Sequence, residues 1–267
     1  MLGIPEFFKS RDALYHYTKM DTALEHILWN RQLRFSPRKN SVDLIESSDQ
    51  FISFHEQVSD SYMSTATNKT IMNLRNEIQE TRSKIRQICF CRSREQNLAQ
   101  GIVFNSFDNY GFLKPRMWDQ YAHGYKGVCL AFSISSLTKE EAIFHEPVNY
   151  NYYSQLKDNH ISIDTNQLLS DVNYQQFLVE QARKELFRKH IDYQDESEYR
   201  VCTFAEEEIV FMDIQHSLRG IIVSTNHLTS FNLKALQEYA EKYQIALLTV
   251  SWKNTGPHVQ VQRSYVE

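Results

Sequence analysis

Apolar and polar positions alternate along Leu14-Tyr15-His16-Tyr17-Thr18, a run rich in β-formers, and the spacing predicts a short strand. Tyr15 and Tyr17 share one face of it, and Leu14, His16 and Thr18 the other. Asp21 then reads as the cap of a helix with Ala23, Leu24, Ile27 and Leu28 at helical spacing. A second strand over 33–36 is broken by Pro37. Residues 37–66 are polar and weakly periodic. Residues 68–87 read as an amphipathic helix with Ile71, Leu74, Ile78 and Ile85 as a partial stripe, and 88–91 as a buried strand.

The loop-like span 95–115, rich in Asn and Gly, suggests a lid or substrate loop. Residues 116–132 read as a short helix with Trp118 and Tyr121 on one side, a turn at Gly124 and Gly127, and a strand. Another strand is expected over 147–150 and an amphipathic helix over 177–190. Lys189 and His190 close that helix as cations suited to its dipole. Further on come a strand at 218–223, a helix at 233–243, a strand at 245–250 and an edge strand at 258–264. The expected fold class is α+β: mixed, mainly antiparallel sheets flanked by helices. Residues 1–267 form one domain with a helical insertion at about 56–87.

Between the helix at 177–190 and the strand at 218–223 lies Glu196-Ser197-Glu198-Tyr199-Arg200, read as part of a strand entered from a helix. Residues two apart on a strand share a face, so Glu196, Glu198 and Arg200 project together. One reading is a salt-bridged outer strand, with Glu196 pairing Arg200. The other is a site, because paired carboxylates serve glycoside chemistry through an oxocarbenium-like transition state. Cleavage of the N-glycosidic bond of NAD is the same type of reaction at a ribose, and no metal is needed.

Composition narrows the choice. The 267 residues carry 29 Lys and Arg against 33 Asp and Glu, a net charge of −4, which argues against a globally basic nucleic-acid coat. With 7 Gly, no Gly-rich phosphate loop is present. No metal-ligand spacing and no nucleophile elbow appear. Cys89, Cys91, Cys129 and Cys202 sit in apolar runs and read as buried reduced thiols. The opening residues lack a basic-then-apolar signal segment and no long apolar run occurs, so a cytoplasmic protein without membrane contact is expected.

Three blocks in this chain resemble a large family of uncharacterised bacterial proteins known as a domain of unknown function. They are Leu14-Tyr15-His16-Tyr17-Thr18, Met117-Trp118-x-x-Tyr121-Ala122-x-x-Tyr125-x-Gly127-Val128-Cys129-Leu130-x-Phe132, and Lys189-x-x-x-Tyr193-x-x-Glu196-x-Glu198-Tyr199-Arg200. Tyr125 replaces the family's His, and Tyr193 its Trp. Val42-Asp43-Leu44-Ile45-Glu46 stands where the family has Asn-Asp-Pro-Phe-Glu.

That family in turn resembles the ADP-ribosyltransferase superfold. The resemblance implies that His16, assisted by Thr18, bonds the adenosine-side ribose of NAD and that Tyr17 packs on nicotinamide. Trp118 and Tyr121 would line the cofactor site. Glu198 would hold the nicotinamide ribose and stabilise the cation, with Glu196 as base toward the acceptor. Arg116, Lys126 and Arg200 would bind substrate. By the same resemblance the chain is an NAD-dependent ADP-ribosyltransferase modifying RNA, DNA or protein, as a toxin or anti-phage effector, with a cognate antitoxin as a possible partner. The alternatives are a non-catalytic nucleotide or nucleic-acid binding module and an NAD glycohydrolase.

Overall fold

The alternating run at the start of the chain forms an interior strand of a ten-stranded sheet. The computed structural model describes residues 4–38, 65–94, 110–139, 143–152, 185–254 and 256–265. In chain order the elements are β1 (Ala13–Thr18), the π-wound helix α1 (Thr22–Leu28), β2 (Gln32–Pro37), α2 (Thr65–Ser83), β3 (Ile85–Arg92), α3 (Pro115–Gln120), β4 (Val128–Ser133) and α4 (Ile134–Leu137). Then follow β5 (Ile143–Pro147), β6 (Asn149–Asn151), β7 (Arg188–His190), β8 (Glu198–Phe204), β9 (Val210–Asp213), β10 (Leu218–Ser224), α5 (Ser230–Tyr243), β11 (Ala246–Lys253) and β12 (Gly256–Arg263).

The sheet runs β12-β11-β10-β4-β1-β3-β2-β9, with β8 and β5 branching from β3. The pair β10 and β11 is parallel, and the other pairs in this sheet are antiparallel. The protein is thus α+β with a mixed, mostly antiparallel sheet and a few helices. β6 and β7 form a separate parallel pair.

The pleat sorts the core into two layers. Leu14, Phe90, Leu130, Tyr199 and Ile221 point to one face, covered by Ala23, Ile27 and Leu28 of α1 and by Leu236 and Ala240 of α5. The hydroxyls of Tyr239 and Tyr243 donate to the carbonyls of Leu24 and Leu28, tying α5 to α1. Tyr15, Tyr17, Cys129, Ala131 and Ile222 point the other way, against Phe8, Phe112, Leu113 and Trp118. This is the division expected of Leu14 and His16 against Tyr15 and Tyr17.

β3 organises the site. One edge pairs with β8 from Ile85 to Cys91. The other edge is shared: Cys91 and Arg92 face β1, and Arg86 and Gln87 face β2. Among the described residues no strand covers residues 88–90 on that second edge, and the sheet opens there.

Four expectations need correction. β8 is interior, between β3 and β5, rather than an outer strand, and its residues from Glu198 to Thr203 are buried. The helix expected over 177–190 does not reach its end as a helix. Glu185–Phe187 is a 3-10 turn and Arg188–His190 is β7, paired with β6, which turns Lys189 inward; 177–184 lie outside the described residues. The helix at 68–87 stops at Ser83, and Ile85 begins β3. The strand at 147–150 is two strands, since Val148 instead donates its N–H to Glu198 O. Strand β9, paired with β2, had no periodic signal. Among the described residues no helix is long and apolar enough to cross a membrane.

Candidate functional site

Glu198 opens β8, but Glu196 is not on that strand. It ends a 3-10 turn over Ile191–Glu196, and Ser197 between them is left-handed at φ 44°. That turn breaks the alternation on which a common face for Glu196 and Glu198 was expected. The two carboxylates meet nonetheless, because Lys189 on β7 bridges them. Its Nζ lies 2.7 Å from Glu196 Oε2 and 3.1 Å from Glu198 Oε2. Arg200 lies two residues along β8 on the same face as Glu198 and clamps it, with Nε 2.6 Å from Oε1 and Nη2 3.1 Å from Oε2. Arg200 is fully buried, and its Nη1 donates to Leu186 O at 2.5 Å.

All four charged groups are buried: Glu196 is 3%, Glu198 5%, Lys189 8% and Arg200 0% exposed. Burying charges is tolerable only when they pair and hydrogen-bond, and here two carboxylates face two cations. Burial by itself pushes the Glu198 carboxyl up. Arg200, Lys189 and a hydrogen bond from the Cys89 thiol outweigh it and hold the carboxyl at about 2, below its usual 4.5. Glu198 is therefore a carboxylate at neutral pH, an acceptor and never a proton donor.

The surroundings fix this geometry. The Glu198 N–H donates to the Tyr150 hydroxyl at 2.8 Å. The Tyr121 hydroxyl donates to Glu196 Oε1 at 3.1 Å. Burial, reinforced by Glu196, pushes that hydroxyl up, so it keeps its proton. Lys114 Nζ donates to Asp195 O at 2.8 Å and to Ser197 Oγ at 2.6 Å, pinning the left-handed turn. Arg94 pairs with Asp195 from outside. The Tyr193 ring is near two cations, Lys189 Nζ at 4.7 Å from its centroid and Arg116 Cζ at 5.5 Å.

Cys89, opposite Arg200 in β3, is exposed, against the expectation of a buried thiol. It stands among buried polar side chains and marks where solvent reaches the cluster. From the other face His16 Nδ1 contacts Cys89 O at 3.1 Å. A carbonyl only accepts, so Nδ1 carries the proton and Nε2 is an acceptor. Desolvation lowers the His16 pKa, outweighing that contact, and keeps the ring neutral.

The expected site residues therefore divide. Glu196, Glu198, Arg200 and Tyr121 converge, and Arg116 stands one ring away. The pleat puts His16 and Thr18 on the face opposite Glu198, joined to it through Cys89 and the open edge of β3. Tyr17 and Trp118 are core supports rather than stacking surfaces. Their rings meet edge-on, and their polar atoms are committed to the carbonyls of Gly111 and Phe112. Lys126 is exposed on the turn before β4, and among the described residues no contact ties it to the cluster. Asp43, Glu46 and most of the expected lid lie outside the described residues. Among the described residues no three His, Cys, Asp or Glu side chains are grouped to hold a metal ion.

Lys114, Cys89 and Tyr150 carry no site signal in the sequence. Lys189 has one, as a helix-end cation and as the Lys that opens the third block. The others reach the cluster by strand pairing and loop closure, which leave no mark on spacing.

Residues 117–201 match the family described as Protein of unknown function (DUF2971). The matched stretch contains Tyr121, Lys189, Glu196, Glu198 and Arg200; β1 and His16 lie outside it. No curated protein matches the chain, and no solved structure does.

Proposed function

We propose that this chain cleaves the nicotinamide–ribose bond of NAD and transfers ADP-ribose to a macromolecule, an RNA, a DNA or a protein. The observation that carries the reading is the state of Glu198: an ionised, pre-oriented carboxylate held by Arg200 and Lys189 beneath a solvent opening at Cys89. Such a group suits stabilisation of a developing cation, since the charge is fixed before the reaction begins. It does not suit general acid catalysis, which needs a carboxyl that keeps its proton near neutral pH. Nicotinamide leaves as a neutral ring and needs no acid.

In the reaction the C1′–N bond breaks and its electron pair passes to the pyridinium ring, which becomes neutral. Glu198 accepts the ribose 2′-hydroxyl proton in a hydrogen bond and faces the oxocarbenium. An acceptor oxygen or nitrogen then bonds to C1′ and gives its proton to Glu196. NAD would cross the open edge of β3, with the nicotinamide ribose at Glu198 and the adenosine ribose at His16 Nε2. The three sequence blocks resemble a family that in turn resembles the ADP-ribosyltransferase superfold, and that two-step likeness supports the substrate. It also motivates the proposal of a toxin or anti-phage effector restrained by a cognate antitoxin in the cytoplasm.

The roles separate by mutation. Glu196→Gln leaves Glu198 paired and is expected to cut macromolecular transfer by more than about 10-fold while nicotinamide release continues, because general base catalysis contributes at least about that much. Chromatography of released nicotinamide, beside counting of label in the macromolecular fraction, checks this. Equal loss of both would remove Glu196 from its role. Release without transfer in the wild-type protein would make it an NAD glycohydrolase. Binding of NAD with neither would make it a binding module.

A further inference from the structure

Gln87 lies on β3 opposite Cys202 of β8, so the pleat turns it to the face that carries Cys89, Arg200 and Glu198. It is 5% exposed, and its Oε1 is buried without a hydrogen-bond partner among the described residues. A buried acceptor left without a donor is costly and is found where a ligand or a function accounts for it. Nothing in the described strand pairing requires an amide there, since Gln87 meets β2 and β8 through its backbone.

The hydrogen-bond chain fixes which end of the amide is unpaired. Glu198 is ionised and only accepts, so the Cys89 thiol donates to it. The Cys89 sulfur then accepts, and Gln87 Nε2 faces it at 3.8 Å. That leaves Oε1 as the acceptor, one step along the sheet from the exposed Cys89. Cys89 thus stands between Glu198 and Gln87, with a hydrogen bond toward each.

We propose that Gln87 Oε1 accepts a hydrogen bond from the carboxamide NH2 of nicotinamide, and so selects the amide form of the dinucleotide over the acid form. The inference rests on the NAD-cleaving reading of the same site. The amide supplies the missing donor. Nicotinic acid presents a carboxylate, which only accepts and brings no donor to Oε1. A buried polar group left unmatched is a strong basis for rejecting an analogue.

The test compares NAD with nicotinic acid adenine dinucleotide by kcat/KM in the full-length protein, and free nicotinamide with nicotinate by calorimetry. The wild-type protein is expected to prefer the amide by at least about 100-fold in kcat/KM. Gln87→Leu should bring the two within about 3-fold, mainly by losing activity on NAD. It should not lower the thermal midpoint, because it removes an unsatisfied acceptor; Gln87→Met serves if the branched side chain does not fit. Equal use of both dinucleotides by the wild-type protein, or an unchanged preference in both variants, overturns the proposal. Should neither dinucleotide be cleaved while nicotinamide binds in preference to nicotinate through Gln87, the specificity stands and the transferase reading falls. Should neither ring bind and neither dinucleotide be cleaved, both fall.

Discussion

Glu198 carries its own pH signature. Its carboxyl sits at about 2 in the fold against an ordinary 4.5, so the folded state binds fewer protons than the unfolded one. The stability this contributes is complete above about pH 4.5 and is lost as pH falls toward 2. Denaturation midpoints measured across that window should fall steeply for the wild-type protein and less steeply for Glu198→Gln. Identical slopes would mean that Arg200 and Lys189 do not hold the carboxylate down. Lys189→Met tests the other side of the cluster. It leaves Glu196 and Glu198 facing each other in a buried site with one cation fewer, and should cost about 3–5 kcal/mol by urea denaturation. A loss under about 1 kcal/mol would show that the bridge is solvated.

At the scale of elements, the site depends on turns that allow close approach. Gly127 enters β4 beside the end of β1. A Cβ there would collide with the Thr18 carbonyl oxygen and lie 3.0 Å from Ala122 Cα and O. These are backbone atoms that cannot swing aside, so Gly127→Ala should destabilise by about 3 kcal/mol or more. Gly124, at φ 61° with open space around it, should cost only about 1–2 kcal/mol on the same change. Equal losses, measured by denaturant unfolding, would remove the steric argument.

Elements with a clean period were legible in the sequence: the faces of β1, the strand at β10, the helix α5 and the edge strand β12. β7 was not, since three residues carry no period and a run of cations at 184–190 imitates a helix end. Glu196 does come close to Glu198, but not by the strand rule. The left-handed Ser197 breaks the strand rule, and Lys189 rather than a shared face brings the carboxylates together. Tyr17 and Trp118 show the limit of aromatic residues as signals, because a buried ring with its polar atom satisfied looks the same in sequence as a stacking platform.

Across the whole molecule, the sheet supplies both support and opening. β3 is held by β8 along one edge and by β1 and β2 at the two ends of the other, leaving 88–90 uncovered by a strand among the described residues. The cluster sits beneath Cys89, and His16 reaches the same residue from behind. The α+β class was legible from the succession of strands and helices. The branching of the sheet at β3 was not, because strand neighbours far apart in sequence are chosen by tertiary packing. The same packing makes a charge-balanced cluster of Lys189, Glu196, Glu198 and Arg200, from a stretch that in sequence also reads as a salt-bridged outer strand.

The most direct measurement is incubation of the purified protein with adenylate-labelled NAD and total cell lysate, separated into nucleic-acid and protein fractions. Glu198→Gln, confirmed as folded, runs in parallel. The account predicts label in one fraction for the wild-type protein, lost with Glu198→Gln. No label in either fraction with NAD intact, or full labelling by Glu198→Gln, would contradict it.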